Sequence, residues 1–304
     1  MEPMEIDRRE LKRIARERMK LTHPSFWVVT LIYFCMTTLL VSLFNFVPGS
    51  DSGGLDTLLF FLTILLTLYT TVVDFGYTLW SLWTFRQLDP GANSLMQGFS
   101  VAGRVLLLQM SIYIRTLGWT MLLYFVAAIP FSMLLTLALT AAPLSESVLI
   151  LLMIPFLLFF YAAVWIIMLR YSLAPYLLAD RPDDGFDAAI RRSVELMRGW
   201  KWELFKLKFS FLGWQLLSFV ITIAVTVGFL IPSDFFSLLP TGDLPQLQTA
   251  LYSVLNGSMY ILVSNLAPLP LLLWLHPYQE VTYAGFYDAR LRLHRASTPT
   301  PPPV

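Results

Sequence analysis

The sequence has few of the residue types on which metal sites and covalent catalysis depend. Its 304 residues include one cysteine, three histidines and only 13% charged residues. The single cysteine, Cys35, can form neither an intramolecular disulfide nor a cysteine metal site. His23, His276 and His294 are separated from one another and from clustered carboxylates, so their spacing gives no zinc motif and no Ser-His-Asp set.

Two further absences narrow the range of functions. No glycine-rich phosphate-binding motif occurs, which argues against an intrinsic ATPase. The net charge is only +1, so the chain as a whole gives no indication of a nucleic-acid ligand. We therefore expect no cofactor, no catalytic constellation and no nucleic-acid partner.

Apolar residues make up the balance. The hydrophobic fraction is 57%, aromatic residues contribute 15%, and the mean hydropathy is +0.65. Charged residues make up 13% of this chain, whereas they make up roughly a quarter of an ordinary soluble domain. The composition and the long apolar runs predict an all-α, polytopic bundle of six transmembrane helices. The predicted spans are about 26–47, 55–85, 116–140, 148–178, 204–231 and 250–275.

The distribution of positive charge predicts how the spans are oriented. The loops 48–55, 141–147 and 232–249 contain no lysine or arginine. Nearly all the positive residues lie in the termini and in the loops near 86–104 and 179–208. Because positively charged loops stay in the cytoplasm, both termini are predicted to be cytoplasmic.

The segment 184–201 joins two spans and is predicted to be a helix that lies flat on the cytoplasmic surface. Its apolar residues recur every three or four positions, and charged residues fill the other side. Residues 1–295 are interpreted as one integral-membrane domain, and 296–304 as a disordered proline-rich tail. Further amphipathic interfacial helices are predicted at 4–22, about 92–115 and 278–293.

A polar stripe on the second span is the most informative pattern. A carboxylate within a span is costly, so Asp74 is predicted to face the bundle interior or water. Arg115 and Arg170 could lie at a similar depth and pair with it. The cluster would bind an anionic headgroup or gate a polar cavity; the alternative is a structural pair, with threonines bonding across helix contacts. The stripe comprises Thr63, Thr67, Thr70, Asp74, Thr78 and Ser81.

The sixth span carries a second polar face. Ser253, Asn256, Tyr260 and Ser264 recur at helical spacing and could line a cavity. Packing between helices around Gly257 is the alternative. We retain Asn256 and Tyr260 as candidate ligand-binding residues.

The segment 183–187 reads Asp-Asp-Gly-Phe-Asp, the pattern with which prenyl transferases hold magnesium and a lipid diphosphate. The structural alternative is helix capping by Asp183 or Asp184, with Asp187 paired to Arg191 one turn on. No second aspartate-rich motif occurs, although a two-metal diphosphate site generally needs one. These aspartates are therefore weak metal candidates.

A basic belt with tryptophans follows this segment. It is typical of a surface that anchors a protein to anionic lipid, and a soluble acidic partner is the alternative. The oligomeric state stays open, because apolar faces that meet lipid and those that meet another subunit look alike. The belt comprises Arg191, Arg192, Arg198, Trp200, Lys201 and Trp202.

Two segments suggest an internal repeat. Residues 95–99 read Leu-Met-Gln-Gly-Phe and 117–119 read Leu-Gly-Trp, while 196–200 read Leu-Met-Arg-Gly-Trp and 212–214 read Leu-Gly-Trp. The repeated unit would be span, surface helix, span, in parallel orientation. Chance is the alternative, because these residue types are abundant here.

An ordered set of motifs resembles a bacterial integral-membrane family catalogued as domain of unknown function nine-seven-five. The motifs are Arg-Glu-Leu-Lys at 9–12, Ala-Asp-Arg-Pro at 179–182, Leu-Met-Arg-Gly at 196–199, Ser-Phe-Leu-Gly-Trp at 210–214 and Thr-Tyr-Ala-Gly-Phe-Tyr at 282–287. A more distant likeness is to the membrane part of bacterial glycerophosphodiester phosphodiesterases. The resemblance implies six helices in a bacterial inner membrane and brings no activity with it.

These observations predict a non-enzymatic membrane protein that binds or moves a small amphiphile or lipid at the inner leaflet. The expected partner is an anionic membrane lipid, and a protein partner remains open. One alternative is a membrane scaffold that binds partners through its basic helices. A second is a magnesium-dependent lipid-modifying enzyme that uses Asp183, Asp184 and Asp187.

Overall fold

The computed structural model describes residues 7–44, 53–88, 90–141 and 145–297. Within these ranges every regular element is helical and no strand occurs, which confirms the all-α fold. Most of the predicted turn at 48–55, the middle of the loop 141–147 and the tail from residue 298 lie outside the described residues.

Among the described residues, five helices are long and apolar enough to cross a membrane, and a bent pair raises the number to six if it forms one span. The bend, between Ser258–Leu266 and Leu269–Ala296, measures 54°. These helices support the prediction of a polytopic membrane protein. The five are Phe26–Leu43, Thr57–Arg86, Ser94–Thr140, Leu151–Asp180 and Leu212–Leu230.

The contacts divide the chain into two compact units. Unit 1 joins the two ends of the chain, Met1–Ala102 and Lys206–Val304, and unit 2 is the middle, Gly103–Phe205. The helices of unit 1 are α1 (Arg8–Lys20), α2 (Phe26–Phe34), α3 (Leu40–Phe44), α4 (Gly53–Arg86) and α5 (Ser94–Gln97). The middle unit and the segments at its boundaries hold α6 (Ala102–Leu123), α7 (Ile129–Ala141), α8 (Glu146–Met168), α9 (Ala174–Asp180), α10 (Phe186–Leu196) and α11 (Lys201–Phe209). Unit 1 continues with α12 (Leu212–Leu230), α13 (Phe235–Leu238), α14 (Leu244–Leu255), α15 (Ser258–Leu266) and α16 (Leu269–Ser297).

The core of unit 1 lies where α1, the C-terminal end of α4 and α16 meet; we call this the basic end of the unit. Tyr77 and Trp80 of α4 and Phe286 and Tyr287 of α16 are at most 2% exposed. Near the other end of α4 the apolar side chains are exposed, as expected of surface that meets lipid or another subunit. The well-packed part of unit 1 is therefore its basic end.

The apolar face of helix α1 packs on protein. Leu11, Ala15 and Met19 fall one turn apart on one face, and all three are buried against α16 and α4. Its cations also contact protein, since the Lys12 ammonium donates to the Ser210 carbonyl at 3.1 Å. An amphipathic pattern requires an apolar partner surface, and here that surface is α16.

The predicted interfacial helix 278–293 is likewise part of the protein core. It is the C-terminal part of α16, which continues through Pro277 without interruption. Its aromatic side chains Tyr278, Phe286 and Tyr287 are buried. The predicted sixth span, 250–275, is divided among α14, α15 and α16, because the helical structure is interrupted near Asn256 and between Leu266 and Leu269.

Other predicted bounds also change. Within the fourth span, helix α8 ends at Met168, and a 3-10 turn, Leu169–Tyr171, leads into α9, where Pro175 occupies the first turn. The fifth predicted span divides into α11 and α12. The predicted boundary between the interfacial helix 92–115 and the third span lies inside helix α6, which is continuous from Ala102 to Leu123. The predicted loop 232–249 is largely helical, as α13 and the start of α14.

The core of unit 2 lies beneath α10. Leu173 and Leu178 from the α9 region and Ile190 and Met197 from the α10 region are at most 2% exposed. The hydroxyl of Ser193 donates to the Arg170 carbonyl at 2.9 Å and accepts from the Leu173 amide at 3.3 Å. This hydroxyl therefore attaches α10 to the turn that ends the fourth span.

The two proposed repeat segments differ in local structure. Gly98 lies against the Val72 carbonyl of α4 with a helical backbone, whereas Gly199 adopts a φ of +79° and a Cβ there would meet open space. The first segment forms only a short helix, α5, while the second follows the longer α10. The matching letters thus do not correspond to matching contacts.

Candidate functional site

Asp74 lies within the second span and is held by the first. The Tyr33 hydroxyl donates a hydrogen bond of 2.9 Å to its carboxylate, and Asp74 itself is exposed. Asp74 is 12 residues from Arg86 at the basic end of α4, or about 18 Å along the helix axis. The structure therefore gives this carboxylate a neutral phenolic donor. Arg115 and Arg170, its predicted partners, make their contacts within unit 2.

Three rings stack beside this hydrogen bond. The His276 ring lies 5.2 Å from Tyr33 and 4.9 Å from Tyr77, with interplanar angles of 16° and 19°. The Tyr77 hydroxyl is hydrogen-bonded to Thr30 at 2.9 Å, while the buried Nε2 of His276 has no hydrogen-bond partner among the described residues. The sequence had given His276 no role, because 202 residues separate it from Asp74.

The threonines of the second span bond within their own helix. Thr67 donates to the Thr63 carbonyl at 2.8 Å, and Thr70 donates to the Thr67 carbonyl at 3.0 Å. Thr78 in turn donates to the Asp74 carbonyl. These threonine hydroxyls use their donors within α4, so the donors need neither a ligand nor a neighbouring span.

The aspartates of the segment 183–187 in unit 2 form ion pairs with arginines. Asp183 pairs with Arg104 at 3.0 Å, and Asp187 pairs with both Arg115 (2.6 Å) and Arg191. Arg192 pairs with Asp184 at 2.9 Å. In the described part of the chain no group of three or more His, Cys, Asp or Glu residues is placed to hold a metal ion.

The predicted capping of α10 by an aspartate is wrong, although the predicted pair of Asp187 with Arg191 is confirmed. The N-cap is Gly185, which has a φ of +83° and no side-chain hydrogen bond. This left-handed backbone suits glycine alone. Asp183 and Asp184 engage arginines instead of the free amides of the helix.

Arg170 lies in the 3-10 turn between α8 and α9, and its side chain lies over an aromatic ring. Its guanidinium carbon is 5.1 Å from the centre of the Trp119 ring. Lys201, the first residue of α11, is nearby: burial lowers the pKa of the Lys201 ammonium, and the positive charge of Arg170 lowers it further. Neither cation forms an ion pair within the part of the chain that the structure describes. Two partly buried cations are thus close enough for their charges to interact.

Aromatic side chains surround the start of α11. The Trp202 and Phe205 rings are parallel at 4.7 Å, and Phe205 meets Trp165 of α8 edge-on at 5.1 Å. Trp202 nonetheless remains 62% exposed. Exposed tryptophan beside cations at the end of a span is typical of the bilayer interface.

The remaining residues of the basic belt have varied environments. Arg198 is exposed and forms no ion pair among the described residues, whereas Arg191 and Arg192 pair with aspartates. Trp200 is half-buried at the turn before α11. Within the basic belt, Lys201 lies close enough to Arg170 for their charges to interact.

The polar face predicted on the sixth span is divided between helices. The Asn256 side-chain amide donates to the Tyr252 carbonyl of its own helix at 2.8 Å. The Tyr260 hydroxyl and Thr226 of α12 are 2.9 Å apart and share a hydrogen bond. Ser253 lines a separate cavity of about 510 Å³, beside Pro232 and Gln246.

Sequence reasoning missed a cavity at the basic end of unit 1. It has a volume of about 410 Å³ and lies between α1, the end of α4 and α16. The only signal in the sequence was the amphipathic pattern of α1, which does not reveal what the helix packs against. Its lining includes Leu11, Ile14, Arg18, Phe85, Asp288 and Arg292.

Comparison with known proteins identifies the family without adding an activity. Neither the curated proteins nor the solved structures contain a match. One family model matches residues 1–293, which is almost the whole chain. The chain therefore belongs to the family described as "Protein of unknown function (DUF975)".

Proposed function

We propose that this protein binds or moves an anionic lipid or small anionic amphiphile at the inner leaflet of a bacterial inner membrane, with both termini in the cytoplasm and without catalysing a reaction. The observation that carries the proposal is the Arg170 guanidinium, which lies over the Trp119 ring, is not ion-paired among the described residues, and is close enough to the Lys201 ammonium for their charges to interact. The orientation follows from the uneven distribution of lysine and arginine along the loops.

The energetics favour an anion at this position. Two like charges that are partly removed from water repel each other, and an anionic group between them would relieve both the repulsion and the lost hydration. The Arg170 guanidinium can donate two parallel hydrogen bonds to one phosphate, and the Lys201 ammonium can supply a further point charge. Structural arginines elsewhere in unit 2 already have carboxylate partners, as Arg115 has Asp187.

The surroundings favour an amphiphile over a free ion. Arg170 follows helix α8, which has no charged residue from Val148 to Met168. Trp165, Phe205 and the exposed Trp202 lie at the same end of that span. A headgroup bound to Arg170 would leave its acyl chains beside apolar surface, as in the bilayer itself.

The test is native mass spectrometry of the full chain released from nanodiscs that contain phosphatidylcholine and phosphatidylglycerol. We expect the wild type to retain a discrete number of phosphatidylglycerol molecules. The double variant Arg170→Gln, Lys201→Gln should retain fewer at unchanged thermal stability. Arg198→Gln removes an exposed cation from the same unit and should match the wild type.

Two results would contradict the proposal. One is a heterogeneous lipid distribution that is the same in the wild type and the double variant. The other is an equal loss of phosphatidylglycerol in Arg198→Gln, because overall charge rather than the Arg170 site would then hold the lipid.

A further inference from the structure

The cavity at the basic end of unit 1 has the size of a small-molecule site. Its volume of about 410 Å³ falls within the range of roughly 300–1,000 Å³ that is typical of ligand pockets. Its walls are helices α1 and α16, and the ring of Phe85 closes the end next to α4. The wall residues Leu11, Ile14 and Leu293 are apolar.

The carboxylates that line this cavity already have donors. Asp288 accepts from Arg86 at one oxygen and from Arg292 at the other, each at 2.9 Å. Glu10 accepts two hydrogen bonds from Arg13, at 2.6 and 2.9 Å. Asp7 accepts from the Arg9 amide at the start of α1, at 2.8 Å. The negative charge of the lining is thus largely compensated before any ligand arrives.

Arg18, which also lines the cavity, has no carboxylate partner among the described residues. Its guanidinium donates to the Phe85 carbonyl and lies 4.4 Å from the centre of the Phe85 ring, but it forms no ion pair within the described residues. Burial lowers the pKa of this guanidinium, the charge of Arg292 lowers it further, and Asp288 partly offsets both. Arg292 also keeps most of its side chain, 76%, exposed.

We propose that this cavity binds a phosphate monoester that carries an apolar chain or ring. The phosphate lies between Arg18 and Arg292, and the apolar part lies along Leu11, Ile14 and Phe85. Two guanidinium groups offer more donors than one carboxylate can use, whereas a phosphate has three oxygens to accept them. This site lies in unit 1 and is independent of the lipid site proposed in unit 2.

The ester could come from the cytosol or from a membrane lipid, and the same phosphate chemistry serves either source. The probe is hexyl phosphate, titrated calorimetrically into the full chain in phosphatidylcholine nanodiscs. Nanodiscs doped with phosphatidic acid form a second arm. If the doped lipid blocks hexyl phosphate, the site takes its phosphate from lipid; if it does not, the ligand is soluble.

A matched pair of substitutions tests the location. Ala289 lines the cavity, and Ala296 is exposed on the same helix outside it. We expect Ala289→Phe, which fills the cavity and removes no polar contact, to weaken binding about tenfold or more, equivalent to about 1.4 kcal/mol. Ala296→Phe should bind as the wild type does. Arg18→Gln should weaken hexyl phosphate but not hexanol.

Three results would overturn the proposal. They are the absence of hexyl phosphate binding by the wild type in undoped phosphatidylcholine nanodiscs, equal binding by Ala289→Phe and wild type, and hexanol binding as tightly as hexyl phosphate. The Ala289→Phe comparison keeps the test decisive even if Arg18→Gln fails to fold.

Discussion

Gly76 of α4 and Leu95 of α5 approach so closely that the Leu95 carbonyl oxygen takes the place where a Cβ at residue 76 would stand. Gly98 makes a similar approach to the Val72 carbonyl. Together the two glycines let the short helix α5 lie directly on the backbone of the second span. The segment that the sequence marked as a surface motif is therefore a packing element of unit 1.

This contact predicts a specific loss of stability. Gly76→Ala should lower the free energy of unfolding by about 1–3 kcal/mol, because the backbone of α5 must shift to admit a methyl group. In Gly103→Ala the new methyl group meets nothing within 4 Å, and the change should be neutral or stabilising by up to about 1 kcal/mol. Thermal unfolding of both variants in nanodiscs checks the difference; equal melting temperatures would contradict the contact.

The ion pair between Arg86 and Asp288 should matter more than the exposed pair of unit 2. Asp288→Asn leaves the largely buried Arg86 side chain, 25% exposed, with a weaker partner, so we expect a loss of about 1–3 kcal/mol. The Asp183 side chain is 94% exposed, and Asp183→Asn should cost less than about 0.5 kcal/mol. Comparable destabilisation by Asp288→Asn and Asp183→Asn would show that burial does not determine how much each ion pair contributes to stability.

The hydrogen bond between Tyr33 and Asp74 should couple the first two spans. A double-mutant cycle with Tyr33→Phe and Asp74→Asn should give an interaction energy of about 1 kcal/mol, because the acceptor is charged but exposed. Thr67→Val, which removes a hydroxyl that bonds only within α4, serves as the control partner and should give no coupling with Tyr33→Phe. An additive cycle for Tyr33 and Asp74 would contradict the contact.

The buried environment of Lys208 should make the free energy of unfolding depend on pH in the alkaline range. Burial lowers the pKa of its ammonium in the folded chain, and Glu280 only partly opposes this. The unfolded chain keeps the proton up to about pH 10.4, so it binds more protons than the folded chain does as the pH approaches that value. The free energy of unfolding should therefore rise with pH between the lowered pKa and about 10.4.

The measurement is thermal unfolding from pH 8 to about 10.4. Lys208→Met should reduce the rise, while Lys20→Met, which alters an exposed lysine of α1, should leave it as in the wild type. A wild-type slope that persists in Lys208→Met would assign the effect to other groups.

Local patterns in the sequence predicted what depends on composition and periodicity. Apolar length located the second span closely, at 55–85 against Gly53–Arg86, and the same counting singled out Asp74 within it. Helical spacing also predicted the pairing of Asp187 with Arg191. These features depend on neighbours within one or two turns.

The sequence could not reveal what each amphipathic face packs against. The stripe of Leu11, Ala15 and Met19 has the same periodicity whether it meets headgroups or α16, and only the fold shows the second. Contacts between distant residues were equally hidden. Trp119 lies 51 residues before Arg170, and Lys201 lies 31 residues after it, so spacing could not predict that the Arg170 guanidinium lies over the Trp119 ring or that its charge acts on Lys201.

The most direct test of the central claim is to map where an anionic lipid touches the protein. Phosphatidylglycerol with a photoreactive diazirine near its headgroup would be incorporated into nanodiscs with the full chain, cross-linked, and located by peptide mass spectrometry. We expect labelling near Arg170 and Lys201 that is lost in the double variant Arg170→Gln, Lys201→Gln and kept in Arg198→Gln. Labelling that is unchanged in the double variant, or confined to unit 1, would contradict the account.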